Sequence, residues 1–208
     1  VAVACDVTDE ADVARAADEA EAALGPVAIL VNNAGAFTMS PIEETTRSDW
    51  EWLLEVNVIG VVNGLHAFLP RMKERGEEAV VLNTASVSGH IGVPGLGIYT
   101  ASKFAVVGLS ECLRKELEGS PVRVSVLCPG IVKTGLLESS VRHRADKHGG
   151  RADASMSPMS QVINTGTDPA DVGRQVVEGI REGAFYILTH PGLKPVFEER
   201  FGGILEAF

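Results

Sequence analysis

Four short apolar runs rich in β-branched residues, VAILV (27–31), AVVLN (79–83), VRVSVL (122–127) and AFYILT (184–189), are separated by longer stretches with helical apolar spacing. A fifth run, VAVAC (1–5), opens the chain. Compact runs without apolar–polar alternation are the pattern of strands buried on both faces, and strands that alternate with helices pair in parallel. The sequence therefore predicts an α/β domain, an open parallel sheet with helices on both faces. In such sheets ligands bind beyond the carboxyl ends of the strands.

The punctuation between the runs agrees with this plan. Thr8 is the predicted cap of a first helix, with Asp9 and Glu10 in its first turn and Gly25-Pro26 at its end. Ser48-Asp49-Trp50-Glu51 reads as a capping box that opens a long helix. That helix has a stripe through Trp50, Leu54, Val58, Val61, Leu65 and Phe68, with Asn57 inside it. Gly60 and Gly64, one turn apart, predict close approach by another element, and Gly76 stops the helix. A further helix runs from about Tyr99 to Gly119, and Asp168-Pro169 caps one that ends at Gly183. Residues 138–166 are polar and lack an apolar period, which predicts a mobile flap.

The residues that follow the strands carry the chemistry. Asn32-Asn33-Ala34-Gly35 follows the run at 27–31, where small residues let a flat ligand approach the backbone; the same residues also suit a plain tight turn. Ser86 follows the run at 79–83, and Pro129-Gly130-Ile131-Val132-Lys133-Thr134 follows the run at 122–127. Tyr99 and Lys103 stand four apart, on one face of a helix, where an ammonium favours ionisation of a phenol that otherwise titrates near ~10. Such a pair suits proton transfer, although on its own it is also a common surface pattern. Asn57, an amide in an apolar stripe, is either bonded to neighbouring backbone or functional.

Composition narrows the partners. A net charge of −10, with no Lys or Arg run longer than two, argues against nucleic acid or an anionic membrane and favours small molecules. Three widely spaced cysteines, Cys5, Cys112 and Cys128, read as buried free thiols of a reducing compartment. No uncharged apolar run approaches ~18 residues and no leader pattern opens the sequence, so no membrane span or signal peptide is expected and the cytoplasm is the default.

Taken jointly, N-N-A-G after a strand, Asn57 in the next helix, Ser86 thirteen residues before the Tyr of Y-x-x-x-K, and P-G-x-V-x-T after the following strand resemble the short-chain dehydrogenase/reductase family along essentially the whole chain. The resemblance implies a single Rossmann-like doubly wound domain over 1–208 and an NAD(P)-dependent oxidoreductase that interconverts a secondary alcohol and a ketone. It implies Tyr99 as acid/base, Lys103 lowering its pKa and holding the nicotinamide ribose, Ser86 polarising the substrate oxygen, and Asn57 positioning a water. Asp6 and Val7 would lie near the adenine, Asn32, Asn33, Ala34 and Gly35 beneath the cofactor, and Pro129, Gly130, Val132 and Thr134 at the carboxamide. A homo-oligomer, dimer or tetramer, would pair the two long helices through Val61, Val62, Gly64, Phe104, Val106, Val107 and Leu109. One element of the family pattern is not in this sequence: the glycine-rich turn T-G-x-x-x-G-x-G, whose amides hold the pyrophosphate, for the first glycine is Gly25. The expected sheet is N-terminally incomplete by about two strands and two helices, and residues preceding Val1 in the natural protein are the expected explanation. As it stands, the chain is expected to bind dinucleotide weakly or not at all, and the alternative to an enzyme is a cofactor-less remnant that serves as a subunit-binding module. Sugar-nucleotide epimerases need a larger C-terminal domain than the short tail here, and enoyl reductases space Tyr and Lys more widely.

Overall fold

The structure, a computed structural model, describes residues 1–148 and 157–208. Four strands, β1 (Ile29–Asn32), β2 (Ala79–Thr84), β3 (Val122–Cys128) and β4 (Tyr186–Leu188), form one sheet in the order β1-β2-β3-β4, all neighbours parallel. The helices are α1 (Glu10–Leu24), α2 (Arg47–Leu54), α3 (Gly60–Arg75), α4 (Gly97–Glu116), α5 (Leu136–His148), α6 (Ser157–Asn164), α7 (Pro169–Glu182) and α8 (Lys194–Leu205). On one face of the sheet, Val61 and Leu65 of α3 and Val106, Val107 and Leu113 of α4 pack on Leu30, Val81, Val124 and Val126. On the other face Val172 of α7 packs on Leu82, Leu127 and Ile187. This is the Rossmann-like architecture the alternation predicts.

Several expectations hold in detail. Gly76 and Gly183 end α3 and α7 in the left-handed conformation, at φ 71° and 70°, and Asp168 caps α7 with Pro169 in its first turn. Gly60 and Gly64 are contact points: a Cβ on the first would lie 2.9 Å from Val7 Cγ2, and one on the second would run into the Asn32 carboxamide.

Other expectations are corrected. Residues 1–5 form no strand, and the first helix is capped by Asp9, which accepts from Ala11 and Asp12 N–H, while Thr8 donates to Asp6 Oδ1. The capping box is Thr46 with Asp49, because the Asp49 carboxylate reaches back to the Thr46 N–H at 2.8 Å. β1 is not buried on both faces: Leu30 packs under α3, but Ile29 and Val31 are about half exposed (51% and 49%), since among the described residues α7 covers only the rest of the sheet. Cys5 and Cys112 are exposed and only Cys128 is buried.

The helix that carries Asn57 runs from Arg47 to Arg75 with a π-helical turn, Glu55–Ile59, joining α2 to α3. Four-residue steps in an α-helix drift by about 40° each. The wider turn absorbs that drift, so Leu53, Asn57, Val61 and Leu65 share one buried side, and Trp52 and Leu53 replace the expected Trp50 and Leu54. By length and composition this run would pass for a membrane span, yet its apolar side is spent on the sheet and on α4.

Within 138–166, the stretch expected to form a mobile flap, residues 138–148 and 157–164 are helical. α5 begins before the segment and is anchored: Leu137 is buried beside Phe37 and Tyr99, Ser140 Oγ accepts the Phe37 N–H at 2.9 Å, and Arg144 pairs with Asp49 of α2. Residues 149–156 lie outside the described residues, and α6 follows them.

Candidate active site

β2 ends at Thr84, and two residues later Ser86 takes an extended backbone and caps the short turn Val87–Gly89, accepting the Ser88 N–H at 3.1 Å. That turn lies directly on α4. A Cβ on Gly89 would come within 2.8 Å of Lys103 O and Val107 Cγ2, so only glycine lets the turn sit close enough to bring Ser86 to Tyr99. The Ser86 hydroxyl donates to Pro129 O at 3.4 Å and lies close enough to the Tyr99 phenol to act on its ionisation. Tyr99, in the first turn of α4, is buried, with its ring edge-on to Phe37 at 4.9 Å between centroids.

One turn on, Lys103 is buried as well, its Nζ 5.6 Å from the Tyr99 ring centroid and 3.0 Å from the Thr84 carbonyl to which it donates. Burial pushes the ammonium down to about 8, and it pushes the phenol upward, the Ser86 hydroxyl opposing it in part. The expected lowering of the Tyr99 pKa by Lys103 is therefore not what this geometry gives. Desolvation dominates both groups.

Asn57 is bonded to backbone from a neighbouring turn and to one side chain. Its Oδ1 accepts the Ala36 N–H at 2.7 Å, and its Nδ2 donates to Ala36 O at 3.0 Å and to Ser102 Oγ at 2.9 Å. The carboxamide thus clamps the Asn32–Gly35 turn to α4, with Gly35 left beside it: a Cβ there would stand 3.5 Å from Asn57 Oδ1 and 3.7 Å from Lys103 Nζ. Asn32 donates to buried Asn83, which donates to Ser110, and Asn33 accepts from the Thr84 hydroxyl. Val7 O accepts from Asn63 of α3 at 2.8 Å, and Asp6 holds the start of the turn before α1. Pro129 O accepts from Val87 N–H, so the loop after β3 is tied to the Ser86 turn, and Val132 pairs with Thr167 in a parallel bridge. Thr134 is exposed at the end of that loop.

Sequence reasoning missed the supports. Ser102 gives Asn57 its partner, and Cys128 at the end of β3 lies 3.3 Å from His90 Nε2. Burial drives that thiol up to about 12, so it stays protonated, and burial drives His90 down. His190, after β4, contacts the loop after β3. Only three-dimensional neighbours reveal these roles.

The family model for short chain dehydrogenase matches residues 1–145. This chain belongs to the short-chain dehydrogenase/reductase family. It is 32% identical to C alpha-dehydrogenase of Sphingobium sp. over 99% of this chain and 68% of that protein. It is 41% identical to the NADP-dependent (R)-specific alcohol dehydrogenase of Lentilactobacillus kefiri over 64% of this chain and 54% of that one. Among solved structures, a short chain dehydrogenase/reductase from Burkholderia phymatum in complex with NAD superposes with a TM-score of 0.91 at 36% identity, covering all of this chain and 76% of its own.

The residues present fit one end of a dinucleotide. Exposed Asn33 and Ala34, with Gly35 beside a buried ammonium, offer an open backbone that a ribose and a nicotinamide can meet. The other end is different. α1 opens with Asp9, Glu10 and Asp12, an acidic start that repels a pyrophosphate, and among the described residues no helix begins with a glycine-rich turn after a strand.

Proposed function

We propose that this chain carries the catalytic half of an NAD(P)-dependent oxidoreductase that interconverts a secondary alcohol and a ketone. The observation that carries the reading is the buried Tyr99 phenol, beside the Ser86 hydroxyl and one helical turn from a buried ammonium that donates to a backbone carbonyl. Nicotinamide, when bound, supplies or accepts the hydride. Ser86 holds the substrate oxygen, and Tyr99 gives it a proton in reduction or takes one in oxidation. A phenol raised by burial is a better proton donor for reduction than a base for oxidation at neutral pH, and Lys103 offsets this as a phenolate forms, since an ion pair then repays the desolvation of both groups. Lys103 and the Asn33–Gly35 backbone would hold the ribose, and Gly130, Val132 and Thr134 the carboxamide. Asn57 acts as a positioning residue through Ala36, because both donors of its amide and one acceptor site are already engaged. α5 and α6 flank the substrate end as its cover. Exposed free Cys5 and Cys112 favour a reducing compartment such as the cytoplasm.

Tyr99→Phe tests the mechanism: it removes the proton and keeps the ring, so turnover of a secondary alcohol should be lost with an unchanged circular dichroism spectrum. Substantial oxidation by the Phe variant would refute it. The acidic start of α1 favours the competing reading, a module that binds a subunit rather than a cofactor. Calorimetric titration with NADH and NADPH separates the two, since a low-micromolar dissociation constant excludes the second.

A further inference from the structure

We infer that His190 is a positioning residue that fixes the loop after β3, the loop assigned above to the carboxamide, through its two ring nitrogens. What the loop binds rests on the proposed function; that His190 shapes it rests on the hydrogen bonds alone. Nδ1 lies 3.0 Å from the Gly130 nitrogen and accepts its N–H. A backbone amide only donates, so Nδ1 carries no proton and the neutral ring carries it on Nε2. Nε2 is 3.2 Å from Ile131 O and 3.0 Å from Thr167 Oγ1, both able to accept. Thr189 Oγ1 lies 2.7 Å from Nδ1 and shares it.

Three segments, two of them strand ends, thus meet at one imidazole. The loop after β3 supplies Gly130 and Ile131, the connection before α7 supplies Thr167, and the end of β4 supplies His190 itself. The approach is tight: a Cβ on Gly130 would lie 2.8 Å from the ring, and one on Gly166 would lie 2.7 Å from Ile131 O. Thr167 N donates to Ile131 O and Lys133 N to Thr167 O, both at 2.9 Å, so Val132 is held between residues that His190 touches. This arrangement also links the cofactor loop to α6, which leads into Thr167.

Asn and Gln separate the two halves of the ring, since Asn Oδ1 falls near the place of Nδ1 and Gln reaches the place of Nε2.

The test is amide hydrogen exchange at Gly130 and Lys133 at neutral pH, alongside dissociation constants for NADH and NADPH from nicotinamide fluorescence, in wild type, His190→Ala, His190→Asn and His190→Gln. Gly130 should exchange at least tenfold faster in the Ala and Gln variants and stay slow in Asn. Dinucleotide affinity should fall about tenfold in Ala, the worth of about one hydrogen bond. Unchanged Gly130 exchange in Ala, or an Asn variant as impaired as Ala, overturns the inference. The expected exchange pattern in a protein that binds neither dinucleotide upholds the role of His190, which rests on the hydrogen bonds alone, and leaves only the ligand of the loop without support.

Discussion

Lys103→Met should stabilise the fold at neutral pH while destroying the site. Burial takes the ammonium from the ordinary 10.5 to about 8, a fall worth about 3.4 kcal/mol at 1.36 kcal/mol per pH unit. That is the cost of keeping the charge in the folded chain at pH 7. Methionine fills nearly the same volume, removes the charge, and gives up the hydrogen bond to Thr84 O, worth about 1 kcal/mol at a carbonyl that water can partly reach. The net gain is about 2 kcal/mol, or roughly 4–8 °C in Tm for a chain of this size. The sign with pH follows from the direction of the shift. A cation whose folded pKa is depressed carries its full penalty below about 8, and the penalty fades as pH rises towards the unfolded value, by about 1.4 kcal/mol per unit. Thermal and urea unfolding of both proteins at pH 7 and pH 9.5 is the assay, and the advantage of the Met variant should close by about 2 kcal/mol between them. A Met variant less stable than wild type at pH 7, or a gap that does not change with pH, would refute the reasoning.

Gly64→Ala drives a methyl into the Asn32 carboxamide and should cost about 1–3 kcal/mol in urea unfolding, whereas Gly173→Ala, with open space around it, should be neutral or gain up to about 1 kcal/mol. Asn57→Ala strips Ala36 of both its partners and should cost about 2–4 kcal/mol, with a matching loss of dinucleotide affinity; a cost below about 1 kcal/mol would mean that water replaces the amide. Sedimentation equilibrium at micromolar concentration should show a dimer or tetramer. The surface expected for it is smaller than the sequence suggested, since Val61, Gly64, Val106 and Val107 are buried within the chain itself and only Val62, Phe104 and Leu109 remain partly open, and a monomer would remove the expectation altogether.

What the sequence made legible was whatever local spacing controls. Tyr99 and Lys103 share a helix face because four residues make about one turn, and the glycines at 60 and 64 announce contacts because nothing else explains two of them in one helix. The caps at Asp168 and Gly183 follow from single-residue preferences. Illegible was whatever depends on a distant partner. VAVAC has the composition of a strand, but composition cannot supply the neighbour a strand must bond to. α5 has almost no apolar period, because of the anchors that follow one another at helical spacing, Leu137, Ser140 and Arg144, only the first is apolar. Ser102, Cys128 and His190 are polar residues of ordinary kinds until their partners, in places as many as 60 residues away, are known.

The π-helical turn at 55–59 also limits how this chain can change in length. A π-helical turn holds one residue more than an ordinary turn for nearly the same rotation, so loss of one residue there would close the turn and leave the helix beyond it facing as before, with Val61 and Leu65 still on the sheet and Gly64 still against Asn32. Only the geometry inside the turn, where Asn57 holds Ala36, would be disturbed. A second loss has no extra residue to draw on and would rotate everything beyond it by about 100°. Homologues should therefore differ by at most one residue in length between 55 and 59.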